Sequence, residues 1–541
     1  MDSYDAGSTN VALLKETIDA NFRRTVSKYP DREALVVRHQ SIRWTYRELD
    51  KKVDQLARAL MALGIDVGDR VGLWAPNCYE WVLVQYATAR IGAIMVCLNP
   101  AYRTTELSYA LNQSGARLLA AASSFKTSDY EAMFAEVADE CASVEDAVFF
   151  ETDSWSDLLS RADEVTSEQV RERSEGLDHR DAINIQYTSG TTGLPKGATL
   201  THRGILNNGF FVGESCGYTY EDRVCIPVPF YHCFGMVMGN LGSTSHGATM
   251  VVPNDAFDPV SVLETVQEEK CTSLYGVPTM FIAELGEPGF DDYDLSSLRT
   301  GIMAGSPCPV EVMKQVIDRM NMDEVTIAYG MTETSPVSTQ TGADDSIEVR
   351  VSSVGRVHPH VEIRVANPET GELVIRGSEG EFQTRGYSVM KGYWNEPDKT
   401  AAAIDGEGWM HTGDLATMSH EGYVDITGRI KDLIIRGGEN VAPKEVEEFL
   451  YTHPDVVDVQ VVGVPDEKYG EEICAFVRTK PDAEVTLESV REYCEGKIAH
   501  FKIPRYVISV KEFPMTVTGK IQKYKLRKLA EEKLSLDEGL A

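Results

Sequence analysis

The stretch 187–197, Tyr-Thr-Ser-Gly-Thr-Thr-Gly-Leu-Pro-Lys-Gly, is the most informative part of this 541-residue chain. It follows an apolar segment, 183–185, which we predict to be a buried strand. Glycines and small hydroxyl residues let a backbone approach a phosphate closely, and their N–H and O–H groups can donate hydrogen bonds to it. Lys196 adds a positive charge. The spacing differs from that of a Walker loop, so the sequence predicts a phosphate-binding loop of another type.

This stretch resembles the signature of the adenylate-forming superfamily, which includes acyl-CoA synthetases, beetle luciferases and the adenylation domains of peptide synthetases. Further motifs continue the resemblance, in the order found in the family, over roughly residues 20–530. In that family the loop holds the phosphates of ATP. The resemblance therefore implies phosphate contacts from Thr188, Ser189, Gly190, Thr191, Thr192, Gly193 and Lys196.

Two motifs resemble the adenine side of the family's site. In 329–336, YGMTETSP, the resemblance implies that the Tyr329 ring stacks on adenine and that the Thr332 hydroxyl contacts phosphate or the acyl carboxylate. It also implies that Glu333 holds Mg²⁺, a hard cation that prefers carboxylate oxygen. The loop 304–307, AGSP, resembles the segment that lines the adenine and the acyl chain. The nucleotide contacts implied by the two motifs are Gly305, Ser306, Pro307, Tyr329, Gly330, Met331 and Thr332.

The segments 409–414, WMHTGD, and 422–429, GYVDITGR, resemble the family's ribose-binding motifs. A carboxylate can accept hydrogen bonds from both hydroxyls of a ribose, and the resemblance assigns this role to Asp414. It also implies nucleotide contacts from Ile426 and Arg429.

The next segment, 429–440, resembles the family's hinge between domains. The resemblance implies that Lys431 is the pivot residue and that the loop on the CoA side contains Gly437, Gly438 and Glu439.

The segment 514–520, PMTVTGK, resembles the C-terminal lysine motif of the family. A lysine in a basic tail is usually a solvated charge, but the preceding Pro-x-Thr-x-x-Gly context favours a functional role. The resemblance implies that Lys520 reaches the nucleotide and neutralises the charge that grows on the α-phosphate. The implied catalytic residues are Lys520, Glu333, Thr332 and Lys196.

The segment 230–236, FYHCFGM, matches the wall of the family's acyl pocket. Peptide-synthetase domains usually place an aspartate there to bind an α-amine, whereas this chain has Phe230 and Tyr231, so an amino-acid substrate is disfavoured. Together with 99–106, NPAYRTTE, the pattern looks most like that of medium-chain fatty acyl-CoA synthetases. The acyl-pocket residues assigned from this match are His232, Phe234, Met236, Gly305 and Val337.

Three glycines, Gly235, Gly239 and Gly242, follow at a spacing of about one helical turn. They either make room for an acyl chain or permit close helix packing, and the sequence leaves both interpretations open. The adjacent His232 and Cys233 form a nucleophile pair only if they face the same way. We expect this segment to be a strand, in which neighbouring side chains point to opposite faces, so such a pair is disfavoured.

Strand and helix patterns alternate in the N-terminal part of the chain. We predict strands at 32–38, 70–74, 93–98 and 116–122, and helices at 45–63, 80–91 and 106–113. This alternation favours α/β architecture with mixed sheets covered by helices. The pattern changes near Gly428. We therefore predict a large AMP-binding and acyl-binding domain, 1–429, and a small mobile α+β domain, 430–541, that carries Lys520.

Composition limits the partners. A net charge of −32 argues against nucleic acid, whose phosphates need a basic face, and indicates a self-repelling surface or a salt-rich cytoplasm. We expect no transmembrane segment and no signal peptide, because neither a long apolar run nor a basic start followed by one is present. The ten cysteines form no CxxC pair, which is typical of reduced thiols in a cytoplasmic protein.

The resemblance implies an ATP-dependent acid–thiol ligase. The enzyme would form an acyl-adenylate from a carboxylic acid, most simply a medium-chain fatty acid, release pyrophosphate, and pass the acyl group to coenzyme A. The implied small molecules are the acid, ATP, coenzyme A and Mg²⁺. The alternatives are adenylation of an aryl or other organic acid, loading of a carrier protein in trans, a luciferase-type oxidoreductase, and a non-catalytic nucleotide sensor. The sequence leaves a homodimer open and indicates no general base for the thiol.

Overall fold

The structure is a computed structural model of the chain, and it describes residues 1–188, 195–306, 308–436, 439–466, 468–481, 483–516 and 519–537. Ser189 to Gly193, Pro307, Gly437 and Gly438, which were predicted to be site residues, lie outside the described residues. Within these ranges, every helix is too short or too polar to span a lipid bilayer.

The helices of the described residues are α1 (Ile18–Lys28), α2 (Tyr46–Ala62), α3 (Tyr79–Ile91), α4 (Thr104–Ser114), α5 (Tyr130–Val137), α6 (Asp153–Ser160), α7 (Ser167–Glu175), α8 (His202–Ser215), α9 (Gly242–His246), α10 (Pro259–Glu269), α11 (Pro278–Leu285), α12 (Val310–Met320), α13 (Ile347–Ser352), α14 (Pro397–Ala403), α15 (Pro443–Leu450), α16 (Leu487–Cys494) and α17 (Lys523–Asp537). A π-helix, Phe234–Leu241, leads directly into α9.

The strands of the described residues are β1 (Tyr4–Ala6), β2 (Glu33–Val37), β3 (Ile42–Thr45), β4 (Arg70–Trp74), β5 (Ile94–Cys97), β6 (Ala116–Ala121), β7 (Ser124–Phe125), β8 (Ser128–Asp129), β9 (Asp146–Phe149), β10 (Ala182–Thr188), β11 (Lys196–Thr201), β12 (Arg223–Cys225), β13 (Thr249–Val252), β14 (Ser273–Gly276), β15 (Thr300–Ala304), β16 (Glu324–Gly330), β17 (Val337–Gln340), β18 (Arg356–Val357), β19 (Val361–Ala366), β20 (Gly380–Gly386), β21 (Gly392–Tyr393), β22 (Met410–Met418), β23 (Val424–Arg429), β24 (Ile434–Arg436), β25 (Glu439–Val441), β26 (Val456–Asp466), β27 (Gly470–Thr479) and β28 (Tyr506–Ser509).

Local sequence explains why the predicted elements form. Helix α2, for example, begins with a capping box: the Thr45 side chain accepts from the Glu48 amide, and the Glu48 carboxylate accepts from the Thr45 amide at 2.9 Å. Its apolar face, which includes Leu49, Val53 and Leu56, is buried. The predicted elements at 32–38, 45–63, 70–74, 80–91, 93–98, 106–113 and 116–122 are confirmed, with ends that shift by one or two residues.

The large N-terminal domain contains three main sheets. Their strand orders are β21-β11-β10-β5-β4-β6-β9, then β18-β17-β16-β15-β14-β12-β13-β2-β3, and last β1-β19-β20-β22-β23. The first two sheets are parallel in their centres and antiparallel at one or both edges, so they are mixed sheets, as predicted. In the second sheet β14, β15 and β16 run parallel, with Ala304 opposite Ala328. Their carboxyl ends therefore meet at one edge, where open α/β sheets commonly bind ligands.

A smaller α+β unit follows. Strand β24 pairs with β25 and β27, and β27 also pairs with β26 and β28, while α15 and α17 pack on β26. This unit has its own apolar core, which includes Ile434, Val459 and Phe476. Mixed α/β architecture with a large N-terminal and a smaller C-terminal domain is confirmed. The exact boundary after residue 429 stays a prediction; the sheets change between β23 and β24.

The expectation of a strand at 230–236 is wrong. Cys233 caps the π-helix with φ −53° and ψ −29°, which are helical angles. The Cys233 thiol donates to Gln186 Oε1 at 3.0 Å, and burial raises its pKa well above the usual range. The thiol is therefore protonated and hydrogen-bonded, so a nucleophile pair with His232 is still disfavoured, for a different reason.

The glycines of this region serve close packing. A Cβ atom on Gly235 would lie 2.4 Å from the Pro229 carbonyl oxygen, and one on Gly242 would lie 3.2 Å from the Gly209 oxygen of α8. At Gly239 it would meet the Ile226 side chain at 3.0 Å. Of the two open interpretations, the structure favours packing, because backbone or side chains already fill the space beside these glycines.

Candidate active site

A pocket lies at the edge where the parallel strands end. Val277 follows β14 and Gly305 follows β15, and both line it. Gly305 has φ +94°, a left-handed conformation that favours glycine, so the chain can turn there next to the pocket. The residues that line the pocket are Val228, Pro229, His232, Phe234, Val277, Gly305 and Lys520. Six belong to the large domain and Lys520 to the small one.

The predicted phosphate loop connects two paired strands. Thr188 ends β10 and Lys196 begins β11, and these two residues face each other in the antiparallel register. The Thr188 hydroxyl donates to the Lys196 carbonyl at 3.4 Å. The Lys196 ammonium lies 4.3 Å from the centre of the Tyr393 ring, a cation–π distance. Both described ends of the loop are thus held, with the Lys196 charge beside Tyr393.

Tyr393 also contacts the predicted metal ligand. Its hydroxyl donates to Glu333 Oε1 at 2.8 Å, and the Met390 amide donates to the Glu333 carbonyl at 2.8 Å. Glu333 and Thr332 lie in a short 3₁₀ turn and are 5% and 8% exposed, so the carboxylate is oriented before any ligand binds. Sequence reasoning missed Tyr393, because it lies 60 residues from Glu333 and in no recognised motif.

The turn before Glu333 is tightly packed. A Cβ atom on Gly330 would lie 1.8 Å from the Pro336 carbonyl oxygen, and the Met331 amide donates to that oxygen at 3.0 Å. Any side chain at Gly330 would push this turn apart. The predicted nucleotide residues 329–332 therefore form one compact unit at the end of β16.

The predicted ribose residues meet on neighbouring strands. Asp414 on β22 faces Arg429 on β23, and the Arg429 Nε lies 2.9 Å from Asp414 Oδ1. The Tyr329 hydroxyl donates to Asp414 Oδ2 at 2.6 Å. Burial and the neighbouring Asp414 raise the pKa of Tyr329 well above its usual value, so the phenol stays protonated. Ile426 lies on β23, three residues before Arg429.

Lys520 reaches this site from the small domain. Its Cε lies 3.6 Å from the position of a Cβ on Gly305, and the Thr279 hydroxyl donates to the Gly519 carbonyl at 3.4 Å. Desolvation, and then the positive charge of Arg429, lower the pKa of the Lys520 ammonium, while Asp414 and Glu333 oppose that shift. The ammonium is thus within electrostatic range of both Asp414 and Glu333.

His232, a predicted acyl-pocket residue, lines the pocket as a neutral imidazole. Burial and the nearby Lys520 charge lower the pKa of His232 to about 3. Its Nδ1 accepts from the Phe234 amide at 3.1 Å, so the ring proton is on Nε2. Phe234 stacks on Tyr275 with ring centres 5.5 Å apart. The pocket therefore has one neutral N–H donor among mainly apolar neighbours.

Two further acyl-pocket candidates, Met236 and Val337, are fixed by buried amides and are not among the described residues that line this pocket. The Gln186 Nε2 lies 2.8 Å from the Met236 sulfur. Asn208 donates to the Val337 carbonyl at 2.8 Å and accepts from the Val337 amide at 3.0 Å. Sequence reasoning missed Gln186 and Asn208, since each belongs to an element distant in sequence from the residue that it holds.

The structure does not bring every predicted residue to this pocket. Ser306 follows Gly305 directly but is not among the described residues that line the pocket. Glu439 is exposed on β25 opposite Arg436, in the small domain. Lys431 lies in a 3₁₀ turn, Ile430–Asp432, between the last strand of the large domain and the first of the small one.

The fold and the site together define an adenylate-forming enzyme of two domains. Residues 22–394 match the AMP-binding enzyme family and 445–520 match its C-terminal domain, so the chain belongs to the AMP-binding enzyme family. It is 50% identical to a putative acyl-CoA synthetase, YngI, of Bacillus subtilis, over 97% of this chain and 99% of the relative. It is 43% identical to the human medium-chain acyl-CoA ligase ACSF2, mitochondrial, over 99% of this chain and 91% of the relative.

Solved structures agree. ATP-bound MatB from Rhodopseudomonas palustris is 29% identical, with a TM-score of 0.85 over 96% of this chain and 99% of that one. The anthranilate CoA ligase AuaEII in complex with anthranoyl-AMP is 26% identical, with a TM-score of 0.87 over 97% of this chain and 99% of that one. These likenesses confirm the predicted class of enzyme, an ATP-dependent acyl-CoA synthetase that works through an acyl-adenylate.

Proposed function

We propose that this enzyme joins a straight-chain carboxylic acid of medium length to coenzyme A, with Mg²⁺ accompanying ATP. The observation that carries the proposal is that Lys520 shares one pocket with His232 and Phe234, within electrostatic range of the carboxylates of Asp414 and Glu333. A cation at that point suits a reaction in which an acid attacks the α-phosphate. The names of the relatives, which include medium-chain acyl-CoA ligases, support the chain length.

Adenylation solves a chemical difficulty. A carboxylate is a poor electrophile, because attack on it adds charge to an anion. When a carboxylate oxygen attacks the α-phosphorus of ATP, the bond to pyrophosphate breaks and a mixed anhydride with a good leaving group, AMP, is formed. Positioning and charge neutralisation supply most of the acceleration in such transfers. Coenzyme A then attacks the acyl carbon through sulfur, and AMP leaves.

In this proposal, different cationic and hydroxyl side chains bind different phosphates of ATP. Lys520 neutralises the α-phosphate, Lys196 and the Thr188 hydroxyl bind the other phosphates, and Thr332 contacts the α-phosphate or the acyl carboxylate. Support comes from the burial of Thr332 beside Glu333 and from the position of Lys196 over the Tyr393 ring. The Tyr329–Asp414–Arg429 group binds adenine and ribose.

Glu333 suits a metal ion that arrives with ATP. The described residues contain no group of three or more His, Cys, Asp or Glu side chains that could hold a metal ion. A single oriented carboxylate is what Mg²⁺ needs when phosphate oxygens and water supply the other ligands. In this proposal Glu333 binds the ion, Tyr393 orients Glu333, and the ion neutralises phosphate charge.

The acyl side of the pocket favours an unsubstituted acid. The described lining residues contain no carboxylate that could pair with an α-amine, and His232 is neutral. Val228, Phe234 and Val277 offer apolar contact to methylene groups. Met236 and Val337 limit the depth of the pocket in this proposal, and an α-amino acid is disfavoured.

The thioester step needs a second orientation of the small domain. We propose Lys431 as the pivot, because its 3₁₀ turn connects the sheets of the two domains, and element ends commonly act as hinges. Gly437, Gly438 and Glu439 would then approach the thiol.

A cytoplasmic location, which the ten free thiols favour, and a homodimer stay predictions. Cell fractionation and light scattering test them.

A pyrophosphate-release screen over carboxylic acids, with and without coenzyme A, tests the proposal. Straight-chain acids of medium length, about six to twelve carbons, are compared with shorter and longer acids, aryl acids and α-amino acids. We expect the highest kcat/KM for a member of the straight-chain set, and acyl-CoA only when coenzyme A is present. An aryl or amino acid with the highest kcat/KM would contradict the substrate class. Adenylate without thioester would favour loading of a carrier protein.

A further inference from the structure

Helix α15 of the small domain touches the nucleotide side of the large domain. The Lys444 ammonium donates to Asp425 Oδ1 and to the Ile426 carbonyl oxygen, both at 2.8 Å. Both acceptors belong to β23, the strand that also carries Arg429. The two side chains of the ion pair are 25% and 40% exposed, so water screens the pair only in part. Lys444 thus connects the small domain to a strand of the nucleotide site.

A second contact from the same helix crosses between the domains. The Glu448 carboxyl lies near the Val310 backbone N–H, at the first residue of α12 in the large domain; this N–H acts to lower the pKa of Glu448, although burial raises that pKa overall. Negative charge is stabilised at a helix N-terminus, where amide groups are unpaired. Lys444 and Glu448 are four residues apart and therefore lie on one face of α15, which rests against the large domain.

A further contact of α15 connects this helix to the segment that carries Lys520. Glu447 is 7% exposed, and its Oε1 accepts from the Lys523 ammonium at 2.6 Å and from the Val461 amide at 2.8 Å. Lys523 is the first residue of α17 and lies three residues after Lys520. The carboxylate of Glu447 therefore holds the chain just beyond Lys520 against α15.

From these contacts we propose that α15 positions Lys520 for adenylation, with Lys444 fixing the helix to β23 and Glu447 fixing the Lys520 segment to the helix. This inference rests on the proposed role of Lys520. A charge whose position beside the α-phosphate must be fixed to a fraction of an ångström needs rigid support, and Lys520 belongs to a small domain that is connected by a turn. Lys444 and Glu447 are positioning residues, since neither lines the pocket.

Separate measurement of the two half-reactions tests this inference. Lys444→Met keeps the aliphatic stem and removes the charge. We expect its adenylation rate to fall about three- to tenfold, because the contact biases the domain orientation by a modest free energy, while thioester formation from supplied acyl-adenylate stays within about twofold. Glu447→Gln should lower adenylation at least as much. Lys502→Ala is the matched control: Lys502 pairs with Glu445 on α15 but within the small domain, so both rates should stay at the wild-type level.

A double variant identifies the interaction. Asp425→Ala should resemble Lys444→Met, and combining the two should cost no more than either alone, because both remove one contact. Thermal melting must show that each variant is folded. Unchanged adenylation in Lys444→Met, or equal loss in both half-reactions, would overturn the inference. If the wild-type enzyme itself forms no acyl-adenylate from any acid, the proposed function fails, and the inference fails with it.

Discussion

The Tyr329 hydroxyl donates a 2.6 Å hydrogen bond to the Asp414 carboxylate across 85 residues of sequence. Arg429 approaches the other carboxylate oxygen at 2.9 Å. Asp414 is only 6% exposed, so its orientation is set before a nucleotide arrives. The adenine side and the ribose side of the proposed nucleotide site are thus one hydrogen-bonded unit, and preorganisation of this kind lowers the ordering cost of binding.

Tyr329→Phe should raise the KM for ATP about three- to tenfold and change kcat less, because the lost bond lies within the protein, so only part of the roughly 1.5–3 kcal/mol of a hydrogen bond to a charged group affects ATP binding. Steady-state kinetics with varied ATP measures this. Tyr423→Phe is the control, since the Tyr423 hydroxyl also bonds a carboxylate, Asp345, away from the pocket. Equal KM values for ATP in the wild type and Tyr329→Phe would contradict the role of the pair.

Lys520→Ala should lower acyl-adenylate formation by about 100-fold or more, a typical cost when a charge that stabilises a transition state is removed. Thioester formation from supplied acyl-adenylate should stay near the wild-type rate, since in the proposed second orientation of the small domain Lys520 no longer lies beside the α-phosphate. Pyrophosphate exchange and single-turnover thioester formation measure the two steps. Lys525→Ala, an exposed lysine nearby, is the control. A similar loss of rate in both steps would contradict the assignment of Lys520 to the adenylation step.

Glu333→Gln should increase the Mg²⁺ concentration needed for half-maximal activity and lower turnover about tenfold or more, because an amide oxygen carries no full negative charge for a hard cation. Titration of activity with Mg²⁺ at fixed ATP measures the shift. Tyr393→Phe removes only the 2.8 Å bond that orients the carboxylate, so its shift should be smaller. A wild-type Mg²⁺ profile with full activity in Glu333→Gln would exclude the metal role.

Met236→Ala should move the preferred acid toward longer chains, by about three methylene groups, because the substitution leaves a cavity of about three heavy atoms at the proposed pocket wall. The pyrophosphate-release screen over acid length measures this preference. Met238→Ala is the matched control, since Met238 is equally buried on the same π-helix but was not assigned to the pocket. The assignment fails if the two variants have the same length profile.

Stability should fall on acidification below about pH 6.5, partly through His358. Burial lowers the pKa of His358 to about 3 in the folded state, so between pH 6.5 and 3 the unfolded chain binds a proton that the folded chain does not. The free energy of unfolding therefore decreases as pH falls, by at most about 1.4 kcal/mol per pH unit for each such group. Burial raises the pKa of Glu284, so this carboxyl makes the free energy of unfolding increase as pH falls.

His358→Gln should flatten this dependence relative to the wild type, because glutamine does not titrate. Urea unfolding at pH 7.0 and 5.5 measures the free energies. His420→Gln, at an exposed histidine, should leave the difference between the two pH values unchanged. A His358→Gln protein with the wild-type difference would show that His358 does not contribute.

Much of the fold could be predicted from local pattern. Helix α2 and strands β4 to β6 follow from apolar periodicity and capping residues that lie within each segment. The π-helix at Phe234–Leu241 was not predicted: its first residues were taken for a strand, although the spacing of Gly235, Gly239 and Gly242 left helix packing open. Its carbonyl groups accept from distant donors: Gln85 bonds the Met236 oxygen at 3.1 Å and Tyr275 bonds the Met238 oxygen at 3.1 Å. Such tertiary partners leave no periodic signal in the segment itself.

The sequence by itself determined the chemistry available to this protein. The residues proposed to bind phosphate, ribose and metal, such as Lys196, Asp414 and Glu333, stand in contiguous motifs, because a short loop or strand end is enough to present each one. The tertiary structure alone decided which of them meet. Tyr393 with Glu333 and Lys444 with Asp425 are contacts between elements that are separate in sequence or lie in different domains. Their formation depends on how sheets and domains pack, and packing is a property of the whole chain.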